Sequence, residues 1–219
     1  MKKPILVIGT VLLLALVFAV GMFMVSGQRK AEAKFLASAN AEIMVRPNGI
    51  MLGAEDARVY LVEFLDPGCE ACGALAPHVK AIQKKHGEDK VRLVIRYAPF
   101  HHGADVICRI LEASRAQGKY WETLQLMFET QRIWADHHRP QPERIWELLP
   151  QLGLDLEQLR KDMDHPVIVA RVQQDMLDAR TLQVNKTPSF FVNGKPLTSF
   201  GLPQLQKLVA DEVALQYGE

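Results

Sequence analysis

The chain has 219 residues, 48% of them hydrophobic, and its 26 Lys and Arg against 25 Asp and Glu leave a formal net charge of +1. So even a balance, with no basic run interleaved with aromatics, argues against a nucleic-acid surface.

Met1-Lys2-Lys3-Pro4 opens the chain, and Ile5 to Val25 then runs without a charged side chain. As a helix this run is about long enough to cross a hydrocarbon core of roughly 30 Å. A cleavable export signal has a shorter apolar region, about 7 to 15 residues, with a small-residue cleavage site close behind. Here the candidate sites, Ala31-Glu32-Ala33 and Ala37-Ser38-Ala39, lie beyond Arg29 and Lys30. The expectation is an N-terminal transmembrane anchor over residues 1–28, favoured over a cleaved signal segment, then an alanine-rich, polar juxtamembrane linker over 29–48. Basic residues stand at both ends of the apolar run, Lys2 and Lys3 against Arg29, Lys30 and Lys34, so charge does not set the orientation. About 190 residues remain, enough for one well-buried domain or a domain with a sizeable insertion.

Val59 to Leu65 is nearly continuously apolar, as in a strand covered on both faces. Its one charge, Glu63, would lie where water is scarce if the strand is central. Desolvation there favours the protonated carboxyl, a group able to accept and return a proton. Six residues later comes Cys69-Glu70-Ala71-Cys72, at the passage from this strand to a helical stretch. A C-x-x-C so placed is the layout of a dithiol redox site. The free N–H groups and positive dipole end of the helix start favour thiolate on Cys69, and thiolate is the form that attacks a disulfide. The rival chemistries fit less well. A structural zinc wants four Cys or His ligands, and the only other cysteine is Cys108. A c-type haem wants His where Gly73 stands, and a static bridge closing so small a loop stabilises little.

Gly73 to Lys85 keeps helical spacing through Leu75, Val79 and Ile82, with Pro77 expected to kink the rod. Val91 to Tyr97 alternates Val91, Leu93 and Ile95 with Arg92, Val94 and Arg96, a second strand ended by Pro99. Strand, helix and strand in succession imply parallel neighbours and a right-handed crossover. From Ala104 to Leu182 the pattern is helical, broken at Gly118, from Ala135 to Pro142, at Gly153 and from Asp164 to Pro166, so a helical insert is expected at about 103–183. Asp155 followed by Gln158, and Asp164 ahead of Pro166, look like helix starts. Ser189 to Val192 returns to strand, Asn193-Gly194 is a hairpin turn, and Lys195 to Thr198 is the returning strand. Pro203 to Tyr217 closes the chain as an amphipathic helix. Cys108 reads as a small buried hydrophobe, and Trp121, Trp134 and Trp146 as helix-packing residues. His101-His102 and His137-His138 are adjacent pairs that point apart on regular structure and complete no ligand set, so no metal is assigned.

In this order the pieces resemble the thioredoxin fold, and specifically its DsbA-like branch, in which a helical domain interrupts the thioredoxin core. The resemblance covers residues 49–219. It rests on Leu52-Gly53 with Leu61-Val62-Glu63-Phe64, on Cys69 and Cys72, on Pro77 five residues after the second cysteine, on Gly118-Lys119-Tyr120-Trp121, and on Val184 to Gly194 with its Thr187-Pro188. It implies an α/β, thioredoxin-like fold with an inserted helical domain, a buried acid at Glu63, and a cis Thr187-Pro188 peptide that sets Thr187 and Pro188 against the cysteines to hold a substrate chain. It also implies a protein disulfide oxidoreductase with no cofactor beyond its own Cys69-Cys72 disulfide: Cys69 attacks, Cys72 resolves, and Glu63 relays the proton.

One departure matters. The better-known DsbA-like oxidases carry Pro-His between the cysteines, whereas this chain has Glu70-Ala71. An anion at Glu70 would push the Cys69 thiol up and make the site less oxidising, so Glu70 and Ala71 are expected to tune the potential. Oxidase or isomerase action is favoured, with a disulfide reductase or a dithiol copper-delivery module as alternatives. The partners implied are cysteine-containing exported proteins, a membrane redox partner that recycles the site, and the inner membrane itself. The catalytic domain is expected outside the cytoplasm, on the side where disulfides persist, which in a Gram-negative cell is the periplasm.

Overall fold

The computed structural model describes Phe18, Met22 and residues 42–47, 49–135 and 139–218. The chain divides into two units, Met1–Ala41 and Glu42–Glu219. Only Phe18 and Met22 of the first are described, both helical. The anchor expected over 1–28 and most of the linker expected over 29–48 therefore lie outside the described residues, as do His137 and His138. Among the described residues no helix is long and apolar enough to cross a membrane.

Strands β1 (Ile50–Leu52), β2 (Val59–Leu65), β3 (Val91–Tyr97), β4 (Ser189–Val192) and β5 (Lys195–Pro196) form one sheet in the order β1-β3-β2-β4-β5. The central strand is thus β2, parallel to β3 and antiparallel to β4, which places Glu63 between Ile95 and Phe190. The parallel β2–β3 pair is the one the strand-helix-strand pattern predicts. At the hairpin, Asn193 (φ 48°) and Gly194 (φ 81°) both take the positive φ that a tight two-residue turn requires. The returning strand is shorter than Lys195 to Thr198, because Pro196 has no N–H to give the ladder; one last bond follows, from Leu197 N–H to Phe190 O at 2.9 Å.

Between β2 and β3 runs helix α1 (Glu70–His86), continuous through Pro77. It starts one turn earlier than the apolar spacing from Gly73 suggests, because Cys69 itself is the N-cap. Between β3 and β4 lies the helical insert: α2 (Ala104–Ala116), α3 (Tyr120–Glu129), α4 (Gln131–Trp134), α5 (Pro142–Ile145), a 3-10 turn (Leu149–Leu152), α6 (Leu156–Met163) and α7 (Pro166–Thr181). Asp155 caps α6, its Oδ1 accepting from Gln158 N–H at 3.0 Å. The cap of α7 is not Asp164, which pairs with Arg109, but His165, whose Nδ1 accepts from Val167 N–H. Helix α8 (Leu202–Tyr217) ends the domain.

Because side chains alternate across a strand, the sheet has two apolar faces. Val59, Leu61 and Leu65 of β2 share a core with Leu93 and Ile95, with Val79 and Ile82 of α1, and with Leu205, Val209 and Val213 of α8. Glu63 falls on this same face. Val62, Phe64 and Val94 pack on the other with Phe191, Ala179 of α7, Val184 and Met44.

This second face also takes in the arginine at the end of β3. Arg96 is 1% exposed because α7 covers it. Its guanidinium donates to Asp175 at 2.9 Å, to Asp178, and to Met44 O at 2.9 Å. Asp178 also takes Arg46 at 2.7 Å. Met44, fully buried, and Arg46 belong to the expected linker by sequence but pack into the domain, whose compact unit starts at Glu42 rather than Gly49.

Candidate active site

The central strand ends at Leu65, and three residues of turn, Asp66-Pro67-Gly68, deliver Cys69 to the start of α1. Asp66 is fully buried and braces this turn. Its Oδ1 accepts from Gly68 N–H at 2.7 Å. Its Oδ2 takes Phe100 N–H at 2.7 Å, His101 N–H at 2.8 Å and the His101 ring Nδ1 at 2.7 Å. One carboxylate therefore ties the loop after β2 to the loop after β3. Cys69 N–H closes the turn onto Asp66 O at 3.0 Å.

Cys69 and Cys72 are free thiols with opposite tendencies. The Cys69 thiol is pulled down to about 5. The largest cause is the Cys72 thiol donating to it; burial opposes, and the Thr187 hydroxyl and the N–H groups of Cys72 and Ala71 add to the pull. Stabilisation of a sulfur anion by helix-start N–H groups is what the N-cap position offers. Cys72 is fully buried. Burial, then its bond to Cys69, then the charges of Glu63 and Cys69 push its thiol well above the ordinary range.

The sequence-predicted residues fall around this pair. The Thr187–Pro188 peptide is cis, and Thr187 O lies 3.3 Å from Cys69 Sγ. Pro188 is buried beside it. Glu63 is 3% exposed, its Oε1 has no hydrogen-bond partner, and burial, with the Cys69 charge second, raises its carboxyl to about 8. Glu70 and Ala71 are exposed on the first turn of α1. The largest influences on the sulfur are the Cys72 thiol, burial, the Thr187 hydroxyl and the N–H groups of Cys72 and Ala71; the tuning expected of the Glu70 side chain stays a proposal.

Two residues of the site carry little signal in sequence. Asp66 could have been found in Asp66-Pro67-Gly68, a turn signature in which Asp bonds the backbone two residues on. Gln131 could not. It stands 62 residues beyond Cys69, yet its Nε2 donates to Pro67 O at 2.8 Å and Cys69 O at 2.9 Å. His101 serves Asp66, and among the described residues no group of three or more His, Cys, Asp or Glu is arranged to hold a metal ion. Cys108 is fully buried in the core with Ile107 and Leu111, and burial drives its thiol far up.

A mixed sheet interrupted by a helical insert, with a dithiol at a helix start facing a cis X-Pro loop, defines a DsbA-like thioredoxin protein. A family model described as Thioredoxin (Thioredoxin_4) matches residues 46–211, and the chain belongs to that family. Among solved structures, a thioredoxin-like oxidoreductase of Silicibacter pomeroyi DSS-3 is 29% identical with a TM-score of 0.67, covering 81% of this chain and 98% of that one. The α-DsbA1 of Wolbachia pipientis, 16% identical, superposes with a TM-score of 0.69 over 82% of this chain and 99% of its own. BdbD of Bacillus subtilis, 21% identical, gives 0.62 over 75% and 92%. These last two are likenesses of fold. Among curated proteins, the Na(+)/H(+) antiporter NhaA of Herminiimonas arsenicoxydans is 32% identical over 145 residues, 66% of this chain and 22% of the antiporter. The chain thus spans about a fifth of the length of the antiporters it matches.

Proposed function

We infer that this protein is a thiol-disulfide oxidoreductase that exchanges disulfides with cysteine-containing protein substrates, in the oxidising or isomerising direction. One observation carries the reading: Cys69 is an N-cap sulfur, held as thiolate at about 5, beside a Cys72 thiol that stays protonated. Stabilising the thiolate stabilises the reduced protein, and a more stable reduced form is a stronger oxidant.

In the oxidising direction a substrate thiolate attacks Cys69 Sγ of the Cys69–Cys72 disulfide. The S–S bond breaks and a mixed disulfide forms. Cys72 leaves as a thiolate whose burial demands a proton; the protonated Glu63 carboxyl supplies it, and the charge then left on Glu63 helps hold that proton on Cys72. A second substrate thiolate then attacks the substrate sulfur and releases Cys69 as the anion its surroundings favour. The substrate loses two electrons and gains a disulfide, and the protein is left as the dithiol. The Thr187 carbonyl and Pro188 flank the sulfur where the substrate chain would lie.

The N-terminal apolar run supports a tether that holds this domain outside the cytoplasm, where exported proteins are its substrates and a membrane redox partner reoxidises it. The direction is tested by the reduction potential of the pair. A Cys69 at about 5 lies below the roughly 7 of thioredoxin and above the roughly 3.5 of DsbA. A thiolate more stabilised than thioredoxin's stabilises the reduced protein, so the expected potential lies above thioredoxin's roughly −270 mV. Equilibration against glutathione measures it. A value at or below about −270 mV would make the protein a reductase, and Cys69→Ser retaining exchange with a reduced, unfolded protein would remove the reading altogether.

A further inference from the structure

The helical insert reaches the dithiol through one side chain that the exchange chemistry has not used. Gln131 opens α4 and is 7% exposed. Its Nε2 carries two hydrogens, and two acceptors stand in reach, Pro67 O at 2.8 Å and Cys69 O at 2.9 Å, bracketing Gly68 in the turn. With both hydrogens spent on the turn, Oε1 faces the first turn of α1, where a Cβ on Gly73 would come within 2.7 Å of it. The insert closes on the far side as well, since a Cβ on Gly68 would meet Pro140 Cγ at 2.6 Å. Gln131 is itself pinned. Trp134, fully buried, donates its indole N–H to Met127 O at 2.9 Å, and Ala135 N–H bonds Gln131 O at 2.7 Å.

We propose that Gln131 is a positioning residue for the dithiol, a clamp by which the helical insert fixes the Cys69 turn against the start of α1 and holds the sulfur in line with the N–H groups of Ala71 and Cys72. Within α1 the Cys72 and Gly73 N–H groups also reach Cys69 O, at 3.1 and 3.3 Å; Gln131 adds a donor from outside the helix and ties that carbonyl to Pro67 O across the turn. Alignment is what the clamp protects. Hydrogen bonds weaken steeply as their angle closes, and the field of a helix start fades within its first turn, so a small rotation of the Cys69 peptide removes stabilisation from the thiolate.

The inference rests on Cys69 being the attacking sulfur, but its test needs no substrate. In the reduced full-length chain, thiolate absorbance at 240 nm is followed against pH for wild type, Gln131→Met and Gly73→Ala. The first keeps length and volume but removes both donors. The second leaves Gln131 in place and pushes its amide off the turn with one methyl group, so it stands alone if Gln131→Met does not fold. Both are expected to raise Cys69 by about one pH unit, a tenfold loss of acidity, with a matching loss of reaction rate toward oxidised glutathione at mildly acid pH. Variants that melt earlier yet titrate like wild type would overturn the proposal and leave Gln131 a packing residue. A wild type inert toward oxidised glutathione, with the titration still displaced in both variants, would sustain the clamp while removing the exchange function.

Discussion

Glu63→Gln should change how stability depends on pH more than it changes stability at any one pH. The wild-type carboxyl is buried with an unpartnered Oε1 and holds its proton to about 8, against an ordinary value of 4.5. Between those values the unfolded chain has released this proton and the folded protein has not, so the native state binds more protons and unfolding becomes easier as pH rises. The stability is fully present below about 4.5, falls by about 1.4 kcal/mol per pH unit above it, and levels off above about 8, a loss of roughly 5 kcal/mol in all. Set against a typical total of about 5 to 15 kcal/mol, that is a large share. Glutamine does not titrate, so its curve lacks this fall. Any cost of burying its amide is a constant offset and cannot imitate the slope. The measurement is urea unfolding of both proteins from pH 4 to 9, and the gap between the two curves should widen in favour of the variant as pH rises. It should widen further in the reduced protein than in the oxidised one, because the Cys69 thiolate is the second cause holding the carboxyl up. Parallel curves for wild type and variant would refute the placement of Glu63 as a buried proton store.

Thr187→Val removes the hydroxyl that donates to Cys69; a hydrogen bond to a charged group contributes about 1.5 to 3 kcal/mol, so the thiol should rise by about one to two pH units in the 240 nm titration. Glu70→Gln, in contrast, should leave that titration within about half a unit of wild type, since an exposed carboxylate is screened by solvent. Native reduced protein treated with a thiol-specific chromophore should leave Cys108 unlabelled until denaturant is added, because a fully buried, high-pKa thiol is inert. Arg96→Met should cost about 3 to 5 kcal/mol in urea unfolding, because it leaves Asp175 and Asp178 facing each other in the covered face of the sheet; a loss below about 1 kcal/mol would mean that the network does not hold α7 to the sheet.

What the sequence makes legible here is what short-range physics decides. The apolar run at Val59 to Leu65, the Asn193-Gly194 turn and the Asp155 cap each state their structure within a few residues, and the fold places all three where the pattern puts them. Glu63 is legible for a related reason: a lone carboxylate in a strand apolar on both faces has nowhere wet to go once that strand is central. Arg96 carries the opposite lesson. It shares a strand face with Val94, and nothing in the local pattern says what lies over that face; only the return of α7, 79 residues on at Asp175, supplies the carboxylates that make its burial tolerable.

The dithiol itself divides in the same way. Its presence is written locally in Cys69-Glu70-Ala71-Cys72 next to a strand, but the largest influences on Cys69 include a group far along the chain. Of the groups that act on Cys69 Sγ, Thr187 lies 118 residues away, and the others are the Cys72 thiol and main-chain amides, which any residue but proline would supply. Gln131 and Asp66 act at one remove, through the carbonyls and amides of the turn. Glu70, the side chain that differs most from the familiar oxidases, sits on the outside of α1 and faces water. The acidity of Cys69 therefore draws first on its partner thiol within α1 and then on groups from other parts of the chain, Thr187 in the loop before β4 directly and, on the proposed clamp, Gln131 at the start of α4 through the turn.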